Sequence, residues 1–384
     1  MFDVSISLHR CLRLLLGLFL PWLALAGAQA QESSSDFKLT GFLSVVGGKV
    51  MQSNFDLDYA GPTTIYKYDC PCYIADWGNA GLYTKSISFK SESRVGVQLT
   101  YKPNTSTSFI GQVVSRGTDS KPNVQWAYGG YKLNSNWEVQ LGRKRIPLYY
   151  YSDFQDIGLS YPWVTPPPEL YGWEATNYNG GSVRYRGNMG DANLTASVFT
   201  GSEKVKDSLY QLLYYSGKNE VSWKNIKGGD LEVNFDTLTL RGIYMKADVR
   251  SIMYDHDIDD SAKLKAFGLA ANLDLGDWFI LGEVTQLSRY FVASDYTVTA
   301  PAMTIGAGRR MGSWTVFGNY AQYVESSTNH DIYIPQKFKR TSLTVRYDLD
   351  SSSAIKAQLD RNKDTSNNFG GNTTVLRLSY DRVF

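Results

Sequence analysis

Asp153, Asp156 and Glu169 stand together in IPLYYYSDFQDIGLSYPWVTPPPELYGW, residues 146–173, which also holds five prolines and eight aromatics and no Lys, Arg or His. Acids with no base nearby in the chain make a fixed negative potential, and prolines stiffen the backbone that carries it by fixing φ. Such a segment suits electrostatic selection rather than covalent chemistry. The other reactive residues are sparse. A Ser–His hydrolase needs a base beside its nucleophile, and beyond residue 30 the only histidines are His256 and His330, without a recognisable triad context. Cys70 and Cys72 flank a proline in YDCPCY. An oxidising compartment favours a disulfide between them over free thiols or a metal site, because zinc would need further ligands. The run DHDIDD, residues 255–260, mimics the start of a calcium loop, but Asp260 stands where that loop needs glycine and Ala266 where it needs glutamate. No metal and no cofactor are therefore expected.

The segments that must position these residues read as strands. Residues 1–30 form a secretory leader: Arg10 and Arg13, an apolar run from Leu14 to Leu25 interrupted by Pro21, then Ala28-Gln29-Ala30. The expected domain organisation is this leader, removed before folding, and one domain over residues 31–384. Cleavage takes two arginines and one aspartate from the 39 bases and 37 acids, leaving a net charge of +1. A near-neutral chain offers no argument for a nucleic-acid partner. Beyond the leader no apolar run is long enough for a membrane helix, yet the chain holds 27 Tyr, 9 Trp and 34 Gly. RVGVQLTY, WEVQLG, LEVNF and SLTVRYDL all alternate apolar and polar residues with period two. Seven short turns, from Pro103–Thr105 to Asp350–Ser352, alternate with eight longer polar segments near 53–90, 117–122, 146–177, 203–227, 251–262, 291–298, 327–337 and 365–372. That pattern predicts about sixteen antiparallel strands in an all-β, up-and-down transmembrane barrel, with apolar residues toward lipid and polar residues toward the lumen. A soluble β-sandwich or β-helix is the alternative.

In this pattern, and in LGRKRIPLYYYSDFQDIGLSYPWVTPPPELY most specifically, the chain resembles the Gram-negative outer-membrane porin superfamily, in its sixteen-stranded, general-porin-like, proteobacterial form. Phe384 matches the aromatic end that serves that family as an assembly signal, although Arg382 stands where many members carry a further aromatic and Tyr380 comes one repeat earlier. The resemblance implies that residues 146–177 are the third outer loop, folded inward to narrow the channel, with Asp153, Asp156 and Glu169 at the constriction. On the polar side of the alternation, Arg94, Arg184, Arg186, Arg241, Arg346 and Arg377 are the candidate basic wall, with Lys356 on the same side. Facing acids and bases would set a transverse field. Strict alternation turns Arg143 and Arg145 outward, whereas a bulge at Gly142 would turn them inward. The implied function is passive diffusion of small hydrophilic solutes and ions through the outer membrane, without enzymatic activity. The implied partners are outer-membrane lipid and lipopolysaccharide, and two further copies of the chain in a trimer formed through the first strand, FLSVVGGKV. The alternatives are a channel specific for a sugar or an anion, a barrel enzyme, and a plugged structural or adhesive barrel.

Overall fold

Alternation with period two gives each strand one apolar and one polar face, and the computed structural model turns the apolar faces outward. It describes residues 36–54, 70, 72–365 and 371–384; the expected leader lies outside them, as do parts of the first and last long segments. Sixteen strands form the barrel: β1 (Phe37–Asn54), β2 (Arg94–Tyr101), β3 (Thr107–Arg116), β4 (Asn123–Lys132), β5 (Trp137–Arg145), β6 (Asn177–Met189), β7 (Ala192–Lys206), β8 (Asn219–Asn234), β9 (Leu238–Met253), β10 (Ile258–Asp274), β11 (Trp278–Phe291), β12 (Tyr296–Met311), β13 (Trp314–Val324), β14 (Lys337–Asp350), β15 (Ser353–Asp364) and β16 (Asn372–Val383). Each pairs antiparallel with its neighbours in sequence, and β1 closes the ring against β16, with Val46 opposite Ser379. Closure leaves no unpaired edge, which hydrocarbon cannot satisfy. No helix among the described residues is long and apolar enough to cross a membrane; the strands do the crossing.

The faces are clear in β2. Val95, Val97 and Leu99 are exposed, while Arg94 and Gly96 are buried inside. Near the short-turn end, exposed Trp137, Trp278, Trp314 and Tyr347 form a girdle, with Trp137 opposite Tyr185 and Trp314 opposite Tyr347. An apolar belt ending in aromatics is the outer surface of a barrel embedded in the outer membrane.

All seven short turns fall where the sequence places them, and all eight longer connections lie at the opposite end. Three of those eight are shorter than the polarity suggests. Strands β7 and β8 run on to Lys206 and from Asn219; β9 and β10 leave a gap of only 254–257; β11 and β12 leave 292–295. These hairpins rise beyond the apolar belt, where their outward residues turn polar while inward ones such as Val221, Trp223, Val249 and Leu264 are buried and apolar, so the reading of polar residues as loop fails there. The first long segment contains a small hairpin, Tyr73–Asp76 with Gly81–Tyr83. Its Tyr73 and Tyr83 pack on Val50 and Val375 inside the mouth, and Trp77 stacks on Phe338 at 5.6 Å. The structure joins Cys70 to Cys72 by a disulfide at the start of this hairpin.

The belt makes a direct prediction. Leu343 faces outward midway along β14, and Leu343→Arg should cost about 2–4 kcal/mol of folding stability in lipid vesicles, the range for a cation at midplane. Asn188→Arg, at a short turn, should cost well under 1 kcal/mol. Urea titration of vesicle-folded protein measures both.

Candidate functional site

Residues 146–176 connect β5 to β6 and fold into the lumen. Where the loop packs against the wall its carbonyls lose water, and five prolines with two single 3₁₀ turns (Ser152–Phe154 and Gly158–Ser160) leave few internal donors to meet them. The wall supplies the donors. Arg241 on β9 donates to the carbonyls of Pro147 (3.1 Å) and Tyr150 (3.1 Å). Arg94 on β2 donates to the Asp156 carbonyl (2.8 Å) and to the Tyr161 hydroxyl. Arg346 on β14 reaches the carbonyls of Leu159 (2.9 Å) and Tyr161 (3.1 Å). Lys356 on β15 reaches those of Gly158 (2.5 Å) and Trp163 (2.6 Å). Acceptors on the wall hold loop donors in turn. Glu283 on β11 takes the Tyr150 N–H (3.0 Å) and the Tyr171 hydroxyl (2.7 Å), and Gln358 takes the Val164 N–H (2.8 Å). At Gly158 the backbone lies so near the wall that a Cβ would collide with the Asp381 carboxylate and the Ser44 hydroxyl.

Two of the loop's three predicted acids are consumed in this anchoring. Asp156 is buried between Arg116 (2.8 Å) and Arg145. Burial pushes its carboxyl up, but the guanidiniums of Arg116, Arg145 and Arg94 outweigh that and hold it well below the usual carboxylate range. Glu169 is bidentate with Arg340 on β14 (3.0 Å), which also binds Asp360 (2.9 Å). Asp360 continues to Arg377 (2.8 Å), and Arg377 to Glu92 (2.5 Å). Lys356 and Asp381 (3.2 Å) extend the seam. Arg340, Lys356 and Arg377 are at most 1 % exposed. Against β1 and β14–β16 the lumen is thus filled, charge for charge, by the second half of the loop.

The first half faces open space. Between it and β5–β10 lies a cavity of about 540 Å³. Asp153 is the one predicted loop acid on it. Of the predicted basic wall, Arg184, Arg186 and Arg241 line it, whereas Arg94, Arg346 and Arg377 lie among the anchors. Lys144 and Arg145 line it as well, two consecutive residues reaching one space at the end of β5. Strict alternation forbids that, and the break follows Gly142, whose φ of +135° suits glycine alone. Arg143 instead pairs with Glu203 (2.6 Å). The wall acids on the cavity are Asp230, 3.8 Å from Arg241, and Glu232. With Arg145 taken up by Asp156, four cations meet three acids around the opening, and one of the four, Arg186, lies 3.5 Å from Glu138. Arg184 has no ion-pair partner among the described residues, and its Nε is buried without a hydrogen bond.

Sequence reasoning missed Arg340, Arg116 and Lys144. Arg340 and Arg116 share the parity of inward Arg346 and Gln112, so carrying each alternation a few residues further would have exposed them. Glu92 sits in a long connection with no period to read.

A lumen occluded by one inward loop, in a closed sixteen-stranded barrel, defines the Gram-negative porin-like fold. Solved structures match it along nearly their whole length: DcaP, an outer-membrane channel of Acinetobacter baumannii (TM-score 0.60, 11 % identity, 92 % of this chain and 99 % of that one); OmpT, an outer membrane protein of Vibrio cholerae (0.58, 12 %, 93 % and 100 %); and an anion-selective porin from Comamonas acidovorans (0.57, 14 %, 91 % and 99 %). At such identities the likeness is one of fold. No protein-family model matches the chain, and no curated protein matches it in sequence.

The two remaining loop acids of the first half separate sharply. Asp156→Asn takes the shared carboxylate from Arg116 and buried Arg145, at a cost of about 3–5 kcal/mol. It should loosen the loop and raise open-channel current noise in bilayer recordings. Asp153→Asn should leave the loop seated. Because the Asp156 pKa is depressed, its contribution is present above the ordinary carboxylate pKa and lost only as pH falls through the lower, folded value. The quiet, loop-docked current of the unaltered protein should therefore persist from pH 7 to about pH 4, where ordinary carboxylates protonate.

Proposed function

We propose that the protein is a water-filled channel for passive diffusion of small hydrophilic solutes, passing anions more readily than cations. The observation that carries this is the charge around the open cavity: Lys144, Arg184, Arg186 and Arg241 against Asp153, Asp230 and Glu232, with Arg145 already paired to Asp156. The loop's other acids are neutralised in buried pairs and add little field to the opening. Cations spaced along a narrow, partly desolvated passage lower the barrier for anions and raise it for cations. A protein of similar fold, from Comamonas acidovorans, is an anion-selective porin.

An enzymatic reading finds one Ser–His contact. Ser216 Oγ lies 3.4 Å from His256 Nε2, at the exposed loop tips. The same nitrogen is 3.1 Å from the Ser216 carbonyl. A nitrogen that donates to a carbonyl carries the proton, so it offers no lone pair as a base. This favours a channel without hydrolase activity. Assembly as a homotrimer through the β1 side is part of the proposal. Exposed Val45, Met51, Ile87 and Phe89 form an apolar patch there, and a segment of the first loop runs beside β1, with Ser88 bridged to Gly48. Light scattering with detergent subtracted should give three chains.

Reversal potentials in a salt gradient across planar bilayers test the selectivity. The unaltered channel should prefer chloride over potassium, and Arg184→Glu with Arg186→Glu should reverse the preference. The effect should shrink at high salt, because the charges face water. A cation preference in the unaltered channel would reject the reading, and an absence of conductance would replace it with a plugged barrel.

A further inference from the structure

The two sides of the open cavity differ in chemistry beyond charge. The wall side carries Lys144, Arg184 and Arg241, and the loop side carries Tyr150, Tyr151 and Phe154. Phe154 is the anomaly. It is 50 % exposed, in a space that a channel for purely hydrophilic solutes would line with polar groups. Its neighbours in the loop all have ring partners: Tyr149 with Tyr171 (4.5 Å), Tyr150 with Tyr151 (4.9 Å), and Tyr151 with Trp163 (5.6 Å). Phe154 has none among the described residues. It is not loosely placed either. It ends the 3₁₀ turn Ser152–Phe154, its N–H donates to the Tyr151 carbonyl (2.9 Å), and its own carbonyl accepts the Ile157 N–H (2.8 Å). Asp156, two residues on, is held by its arginines. A stiff loop thus presents a bare aromatic face to the cavity, while the wall presents Arg184, which has no ion-pair partner among the described residues.

Resting on the anion-channel reading, we propose that this cavity selects anions with a planar apolar body, aromatic carboxylates being the class. The carboxylate takes the forked donors of Arg184, the geometry in which guanidinium binds it best. The ring lies against Phe154, with Tyr151 beside it. A cavity of about 540 Å³ is within the range of small-molecule sites, about 300–1,000 Å³. An aromatic contact strengthens binding about three- to tenfold beyond its buried area.

Chloride current through the purified protein in planar bilayers reads this out, with benzoate or acetate added as competitor. Benzoate should half-block at a concentration about three- to tenfold below acetate. Phe154→Ser should bring that ratio to about one, Phe154→Trp should keep it, and Arg184→Gln should weaken both competitors. Leu275→Ser, in a short turn at the far end of the barrel, should leave the ratio as it is. Equal block by benzoate and acetate in an anion-selective channel would overturn this inference while sparing the reading beneath it. A ratio that survives Phe154→Ser would overturn it equally. A channel without anion preference would overturn both.

Discussion

The structure depends on cations of the barrel wall satisfying a loop that cannot satisfy itself. Residues 146–176 carry five prolines and only scattered single-turn backbone pairing, yet they lie inside the barrel. Each buried carbonyl without a donor would cost as much as a lost hydrogen bond. Arg94, Arg241, Arg346 and Lys356 remove that cost, each bridging two loop oxygens. Long cationic side chains suit the task, because they span the gap between wall and loop and bring several donors each.

The same interaction decides where the channel can be. Buried charges must be paired, so the seam along β14–β16 sets Arg340, Lys356 and Arg377 against Glu92, Glu169, Asp360 and Asp381. That seam is full, and the open space is displaced to the opposite wall, β5–β10. The acids that give the loop its negative composition are largely spent on holding it. What a passing ion meets is the unspent remainder: Asp153 on the loop, and a wall in which bases outnumber acids. Selectivity by this account is what is left over after the loop has been anchored.

The loop is also two things in sequence. Its second half, Tyr161 to Leu170, packs as a core would, with Tyr161, Trp163 and Leu170 buried. Its first half is stiffened by the 3₁₀ turn Ser152–Phe154 and the Asp156 cluster; it buries Ile146, Leu148 and Tyr149 against the wall and sets Tyr150, Tyr151 and Phe154 on the cavity. The division follows from which wall each half faces, apolar and charge-paired on one side, open and basic on the other.

The amino-acid sequence by itself determined the strand number, the seven short turns and the outward apolar faces, because these depend on period-two patterning, a local property; the inward course of residues 146–177 followed only from the family resemblance. Arg94, Arg184, Arg186, Arg241, Arg346 and Arg377, all on the polar side of the alternation, face the interior of the barrel. Only the tertiary structure decided which of them meet the loop and which meet open space. Arg184 and Arg377 both lie on the inward face of their strands and have the same chemistry, yet one lines the cavity and the other is 0 % exposed beside Glu92 and Asp360. Asp153 and Asp156 are three residues apart, and only one keeps its charge for the lumen. The physical reason is that pairing inside a barrel joins strands and loops up to about 285 positions apart, as Arg377 and Glu92 are, and no local pattern encodes which side of the lumen a loop will lean on.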